Sequence, residues 1–594
     1  MRRSIATVCL SGTLEEKLEA AASAGFDEVE LFEPDLVASA LAPEEVRDRA
    51  GRLGLDIGLY QPFRDFEAVP EPLLRENLRR AERKFGVMER LGVDTMLVCS
   101  SVSEAAIDDD ALATAQLRAL AEQAAGHGIR IAYEALAWGR HVRDYDHAWR
   151  IVEAAGHPNL GTCLDSFHIL SRGADPSGIR DIPGEKIFYL QLADAPQLVM
   201  DVLQWSRHYR CFPGQGGFDL AAFLGHVLAT GYAGPLSLEV FNDVFRQADP
   251  RRMAVDAMRS LIVLEEATGL ERLPAPTTLG GYAFVELAVA TDSAAEVERL
   301  LVAMGFRHAG QHRSKPVQLW RHGGTHILVN HEDGGQPRPR IAAIAVETPE
   351  PLRSAERAER LLAPLLPRER GPGEAELSAI AAPDGTSVFF CRTDGQDAGG
   401  WLSDFLTAGP PGDTVPAEVA GIDHVALSQP FDYFDEAALF YRSVLGLELH
   451  RGDELATPDG LVRSRAARDA HDNVRFALSV PIVGSGRSEL QHLALASHDV
   501  FAAARAMRER GVPVLSIPDN YYEDLAARTS LPPETIERLR GLDILYDEAG
   551  GAEFLHFYTA LVGPSLFFEV VERRGGYDAY GAVNSPVRVA AQRQ

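Results

Sequence analysis

Over its first 270 or so residues the chain repeats one rhythm, a short apolar run followed by a longer amphipathic stretch, eight times in succession. The apolar runs are SIATVCL (4–10), EVELF (28–32), DIGLY (56–60), TMLVCS (95–100), IRIAYE (129–134), GTCLD (161–165), IFYLQL (187–192) and LSLEV (236–240). Such short runs suit strands covered on both faces. The stretches between them carry helix signals. LEEKLEAAASAG stops at Gly25, and DDDALATAQLRALAEQAAGHG opens on aspartates that complement a helix N-terminus and ends at Gly126. Strands alternating with helices predict a parallel sheet, and eight units in this length match a closed TIM-type (β/α)8 barrel. The rival α/β arrangement, an open doubly wound sheet, expects a glycine-rich phosphate loop after the first strand, and none follows SIATVCL.

The rhythm breaks at GLERLPAPTTLGGY (269–282), a linker rich in turn formers. Beyond it, YAFVELAVAT, the amphipathic AAEVERLLVAMG and VQLWRHGGTHILVNH read as strand, helix and paired strands. The same order recurs at IAAIAVETPE with SAERAERLLAPL, at GIDHVALSQP with DEAALFYRSVLG, and at LQHLALASHD with VFAAARAMRERG, which implies four β-α-β-β-β modules. TAGPPGDTVPAEVAG (407–421) separates the second module from the third. The expected organisation is α/β followed by α+β: a barrel at 1–270, a linker at 271–281, modules 1 and 2 at 282–408 as scaffold, and modules 3 and 4 at 409–594.

In a barrel of this kind the chemistry sits where the strands end. Strands 5 to 8 end on Glu134, Asp165, Gln191 and Glu239, so four neighbouring strands deliver oxygen donors to one rim. Three carboxylates that close repel one another unless a cation lies between them. All-oxygen ligation suits a hard divalent ion, Mg²⁺, Mn²⁺ or Co²⁺, rather than the sulfur and nitrogen ligands zinc prefers. The five cysteines, Cys9, Cys99, Cys163, Cys211 and Cys391, are scattered without CxxC spacing, so neither a disulfide framework nor a thiolate cage is expected.

With this ligand order the barrel resembles the xylose isomerase-like superfamily. Within it, GLYQPFRDFE (58–67) and SRHYRCFPGQGGFD (206–219) resemble segments of bacterial 3-dehydroshikimate dehydratases fused to a dioxygenase-like half. The resemblance implies dehydration of 3-dehydroshikimate to protocatechuate, in quinate and shikimate breakdown. His168, three residues past Asp165, is then the candidate base, since an imidazole with a pKa near 6.5 suits proton abstraction at neutral pH. Its simpler reading is a group that orients Asp165. The substrate's carboxylate calls for an arginine fork, with Arg64 after strand 3 and Arg210 in the loop between strands 7 and 8 as candidates, the latter close to Ser206 and to His208, an alternative proton-transfer group.

In the second half, GIDHVAL carries His424, LQHLALA carries His492 at the matching position of the next module, and FFEVVER carries Glu569. Two histidines and a carboxylate form the facial triad of non-haem Fe(II) sites. This half resembles the vicinal oxygen chelate superfamily, and 4-hydroxyphenylpyruvate dioxygenase within it, which implies a second divalent ion, Fe(II) or Mg²⁺, on those three residues. The family's Asn- and Gln-bearing strand and its Gly-Phe-Gly helix are replaced by RFALSVPIVGSGRSELQH and RRGGYDAYGAVNSP, so a different role for this site is expected.

A net charge of −28 argues against nucleic acid or an anionic membrane surface as partner, and means that a small anionic substrate must be met by local arginines. No run approaches the length of a membrane span and MRRSIATVCLSG is too short for a secretory signal, so a cytoplasmic protein is expected. Barrel helices and paired β modules commonly support homo-oligomers. Two other readings remain open from sequence: a sugar or inositol isomerase or epimerase on the same barrel, and an active dioxygenase in the second half.

Overall fold

Eight parallel strands, β1 (Arg3–Ala6), β2 (Glu28–Phe32), β3 (Asp56–Phe63), β4 (Thr95–Cys99), β5 (Arg130–Glu134), β6 (Leu160–Asp165), β7 (Ile187–Leu192) and β8 (Leu236–Leu238), close into a barrel in which β8 pairs back with β1. This is the α/β barrel expected from the rhythm. The computed structural model describes residues 1–332, 339–392, 400–407, 418–450, 452–458, 460–481 and 490–593, in two units, Met1–Leu273 and Pro274–Gln594. The expected boundary at 408/409 and most of 407–421 lie outside the described residues.

β4 and β6 are buried along their whole length. That is why their sequences show no polar alternation. The first run is cut short, because Thr7–Cys9 turns into a 3₁₀ segment after Ala6. Its following helix, Leu14–Ala24, starts on a capping box between Thr13 and Glu16 and ends on Gly25 at φ 89°, a left-handed position open to glycine.

Register brings the strand ends to one level: Cys99 lies opposite Glu134, and Asp165 opposite Gln191. The connection after β7 is folded around one carboxylate. Asp194 accepts the backbone N–H of Ala195, Gly214 and Phe218 at 2.8, 2.9 and 2.9 Å. Gly216 must be glycine, because a Cβ there would lie 2.3 Å from Asp194 Oδ1. Asp194 also exchanges backbone hydrogen bonds with Cys211, which sets Arg210 next to the strand ends. All five cysteines are free and buried.

The second unit holds two curled sheets. One comprises β9 (Gly281–Ala290), β10 (Arg307–His312), β11 (Val317–His322), β12 (Thr325–Glu332), β13 (Arg340–Glu347), β14 (Ser378–Ala381), β15 (Ser387–Cys391) and β16 (Phe405–Thr407). The other comprises β17 (Gly421–Ser428), β18 (Glu448–Leu449), β19 (Asp453–Thr457), β20 (Gly460–Arg468), β21 (Arg475–Pro481), β22 (Gln491–Ala496), β23 (Leu545–Ala549), β24 (Ala552–Tyr558) and β25 (Leu566–Arg574). In each module the first strand runs parallel to the last, as β9 does to β12 and β22 to β25. Modules join through antiparallel first strands, β9 with β13 and β17 with β22. No described helix is long and apolar enough to cross a membrane.

Two candidate metal centres

At the barrel rim Glu134, Asp165, Gln191 and Glu239 are all buried, at 3, 2, 0 and 5% exposure. Four acidic or amide groups out of water need compensating partners. Beside any bound ion, the chain supplies a cation of its own. Arg210, itself 1% exposed, donates from Nη1 to Asp165 Oδ2 at 2.8 Å and to Glu239 Oε2 at 3.1 Å. Its Nη2 donates to Ser206 Oγ at 2.9 Å and faces His168 Nε2 at 3.2 Å, and its plane stacks on Phe167. Arg210 therefore lies among the carboxylates instead of reaching out from the loop, and Ser206 holds it there.

One compensation is missing. Glu134 Oε1 is buried with no hydrogen-bond partner, and Oε2 has only the Cys99 thiol at 3.4 Å. Glu134, Asp165 and His168 offer ligand atoms within 4.8 Å of one another. Gln191 turns its Nε2 to Glu30 Oε2 at 2.6 Å, which leaves its carbonyl oxygen with only the Cys163 thiol at 3.4 Å. These under-satisfied oxygens fit a hard cation. The charges agree with that. Burial, then repulsion from Asp165 and Glu239, pushes Glu134 well up, and burial lifts Glu239 to about 7 against the pull of Arg210. Burial also opposes ionisation of Asp165, but Arg210 and His168 hold it below the usual carboxylate range.

His168 is packed edge-on against Trp138, with ring centroids 5.0 Å apart. Its Nδ1 accepts the Ala137 N–H at 3.2 Å, and its Nε2 lies 3.6 Å from Asp165 Oδ2 and 3.9 Å from Glu134 Oε1. Burial lowers its pKa to about 3, with Arg210 adding to the effect, so the imidazole is neutral at neutral pH. A cavity of about 40 Å³ opens beside it, lined by Gln61, Arg64, Trp138, Arg207 and Phe241 among others. Arg64 and Arg207 are exposed there, and neither guanidinium has an ion-pair partner among the described residues. His208 points elsewhere: its Nδ1 pairs with Asp243 at 2.8 Å and it does not line this cavity. Arg207, at the exposed edge of the cavity on the short helix Val202–His208, was not foreseen from sequence. Nor was Glu30, buried mid-strand on β2, which accepts the amides of Gln61 and Gln191. Burial and then Glu239 raise Glu30 well above the usual range.

In the second unit His424 on β17, His492 on β22 and Glu569 on β25 converge. Glu569 Oε2 lies 3.2 Å from His424 Nε2 and 3.1 Å from His492 Nε2, and the two nitrogens are 3.2 Å apart. Two imidazole nitrogens in contact with one carboxylate oxygen fit a shared ion. Asp423 accepts the His424 Nδ1–H at 2.7 Å and is itself held by Arg573 through two bonds of 2.8 Å. That fixes the tautomer that leaves Nε2 free to ligate. His556, not foreseen from sequence, lies 2.6 Å from Glu569 Oε1 and is backed by Asn584 Nδ2 at 2.9 Å. Burial works against the Glu569 charge, yet bonds from His424, His492 and His556 keep it well below the usual range. Burial takes His492 down to about 4. For His424 burial is outweighed by Asp423 and Glu569, which raise it. A cavity of about 140 Å³ adjoins the triad. Among the described residues, modules 1 and 2 show no comparable cluster.

Family models match three stretches of the chain: the xylose isomerase-like TIM barrel at 18–263, the N-terminal part of hydroxyphenylpyruvate dioxygenase at 274–347, and the glyoxalase/bleomycin resistance protein/dioxygenase superfamily at 421–530. The chain is 45% identical, over its whole length and 98% of the relative's, to a 3-dehydroshikimate dehydratase of Pseudomonas aeruginosa. It is 44% identical with the same coverage to one of Pseudomonas putida. A solved xylose isomerase-like TIM barrel/4-hydroxyphenylpyruvate dioxygenase fusion protein matches 100% of the chain and 99% of its own length, with a TM-score of 0.91 and 43% identity.

Proposed function

Since the chain belongs to the 3-dehydroshikimate dehydratase family, we propose that its barrel cluster is the dehydratase site, with each residue in the role described below. The chain is a hydro-lyase that removes water from 3-dehydroshikimate, and the product is protocatechuate. The observation that carries this reading is the full-length identity of 44–45% to two curated dehydratases. Carbon 4 of the substrate is acidified by the neighbouring carbon 3 ketone. Loss of its proton gives an enolate that expels the carbon 5 hydroxyl, and loss of a carbon 6 proton then completes the aromatic ring.

Glu134, Asp165, Gln191 and Glu239 would hold a divalent ion, Mg²⁺, Mn²⁺ or Co²⁺, and such an ion supplies Lewis-acid polarisation of the ketone when bound. His168 takes the carbon 4 proton. The ring is neutral; in the reactive tautomer its proton sits on Nδ1, which releases the Ala137 N–H and leaves the Nε2 lone pair to act as the base, and the Asp165 carboxylate 3.6 Å away stabilises the imidazolium that forms. Arg210 holds Asp165 and Glu239 in place, a positioning role. Arg64 and Arg207 grip the substrate carboxylate, for which their unpaired forks are suited. Trp138 and Phe241 wall the cavity against water. We assign His208 no part in proton transfer.

The second ion, Fe(II) or Mg²⁺, would sit on His424, His492 and Glu569. His168→Gln should lower kcat by about 10² to 10⁴-fold with KM little changed, and Arg64→Leu should mainly raise KM. Both are read by the ultraviolet absorbance of protocatechuate. A His168→Gln variant with undiminished kcat would remove the base from this mechanism.

A further inference from the structure

The cavity beside the second triad holds a cation with no carboxylate partner. Arg588, half-buried on the helix Ser585–Ala591, lines it, stacks over Phe567 and Tyr558 at 5.0 and 5.7 Å, and is held by Gln592 Oε1 at 2.7 Å and by the Tyr558 hydroxyl. Among the described residues no carboxylate lies within ion-pair distance of Arg588, and burial lowers its pKa against the opposing pull of Tyr558 and the more distant Glu569. The hydroxyl of Tyr580, on the same wall, is buried with no hydrogen-bond partner. A half-buried arginine at a cavity wall, with no ion pair of its own, has guanidinium donors to offer an anionic ligand. The rest of the wall mixes apolar and aromatic side chains, among them Leu455, Val462, Phe567 and Tyr558, with hydroxyl residues such as Ser464 and Ser479.

Size narrows the ligand. About 140 Å³ is close to the ~150 Å³ cavity that takes a single benzene ring. A triad of two histidines and one carboxylate leaves cis positions open on its ion, which favours a chelating pair of oxygens. The ligand class that meets all three demands is one ring with adjacent hydroxyls and a carboxylate. We infer that the C-terminal pocket binds a carboxylated catechol, the chemical class of the barrel's own product, with its hydroxyls toward His424, His492 and Glu569 and its carboxylate on Arg588. The aromatic diol is favoured over the substrate's alkyl diol, because phenolic hydroxyls ionise far more readily and the ring lies flat between aromatic walls. The inference concerns binding, not turnover, and rests on the second metal site proposed above.

The test uses the full chain with Glu134→Gln and Asp165→Asn, so that the barrel does not chelate, stripped of metal and titrated with Co²⁺. One equivalent should bind, and His492→Ala should abolish it. Failure of that step sinks the second metal site and the inference with it. Protocatechuate is then titrated into the Co²⁺-loaded protein. It should bind once, perturb the visible Co²⁺ spectrum, and bind at least about tenfold more tightly than catechol, which lacks the carboxylate, or 3-hydroxybenzoate, which lacks the diol. Arg588→Leu should erase the preference over catechol and leave the spectral response. Co²⁺ binding with no response to protocatechuate, or with an unchanged preference in Arg588→Leu, overturns the inference while the metal site stands. Tighter binding of 3-dehydroshikimate than of protocatechuate overturns the assignment to product. If the barrel double variant does not fold, the wild-type chain should show two protocatechuate equivalents and His492→Ala only one.

Discussion

The barrel site and the triad site are built on opposite electrostatic plans. The barrel gathers Glu134, Asp165 and Glu239 with few donors to oppose them, so burial drives Glu134 and Glu239 up and a single internal cation, Arg210, offsets part of the repulsion. The triad gathers one carboxylate among three imidazoles, so Glu569 is driven down, and His424 and Glu569 are each already held by an outer partner, Asp423 and His556. The first arrangement is under-neutralised without an ion. The second is close to self-neutral, and there metal competes with hydrogen bonds that already exist. Buried charge thus points toward catalysis in one half and toward a preformed binding site in the other.

The sharpest way to break this contrast is to neutralise one carboxylate on each side. Asp165→Asn should lower the dehydratase rate by about 10³-fold or more, because it removes a ligand and the partner of His168. It should also destabilise the chain by about 3 kcal/mol, since Arg210 loses a buried counter-ion. Glu569→Gln should empty only the second site and cost the barrel less than tenfold. Initial rates with metal analysis of the dialysed proteins decide it. Equal losses of rate in both variants would show that the two sites do not divide as described.

A smaller effect separates the sites by pH. Glu239 is raised in the folded chain, so its contribution to stability is present below the ordinary glutamate pKa and is lost as pH rises toward about 7. In metal-stripped protein, Glu239→Gln should therefore gain on the wild type between about pH 5 and 7, by up to about 3 kcal/mol. Glu569 is lowered, so its contribution is present above the ordinary pKa and is lost only as pH falls below it. Glu569→Gln should be most harmful at neutral pH and approach the wild type in acid. Denaturant unfolding across pH reads both slopes, and parallel slopes would contradict the two plans.

Much of this is legible in the sequence alone. A parallel barrel sends its strand ends to one rim, so Glu134, Asp165, Gln191 and Glu239 could be grouped by position alone, even though β8 stops one residue short of Glu239. His424 and His492 could be paired because repeated modules place equivalent residues on equivalent strands. The path of the 194–219 connection was not legible. It is set by the tertiary hydrogen bonds of Asp194 and by a glycine fit, neither of which has a period. So Arg210 read as a substrate clamp, His208 as a site residue, and Arg207 not at all. Glu30 and His556 were missed for another reason. EVELF alternates like a half-exposed strand although it is buried, so its glutamates read as solvent-facing, and His556 in EFLHFY has no equivalent in a repeated module to mark it.

The smallest effect tests whether the triad really is preformed. Asn584 Nδ2 donates to His556 Nε2, which leaves the Nδ1 proton of His556 to be given to Glu569 Oε1. Asn584 thus selects the tautomer that steadies the triad carboxylate, much as Glu30 orients the Gln191 amide in the barrel. Outer partners of this kind are worth about 10 to 100-fold in metal affinity when they touch the ligand directly. Asn584 acts one residue further out, so Asn584→Ala should weaken the second ion by a few-fold, seen as a rise in Kd for Co²⁺, while His556→Leu should weaken it by about tenfold or more. The order matters more than the size. If Asn584→Ala equals or exceeds His556→Leu, the asparagine acts on the ion by another route, and the chain of control from the C-terminal segment through His556 to Glu569 is not the one the hydrogen bonds describe.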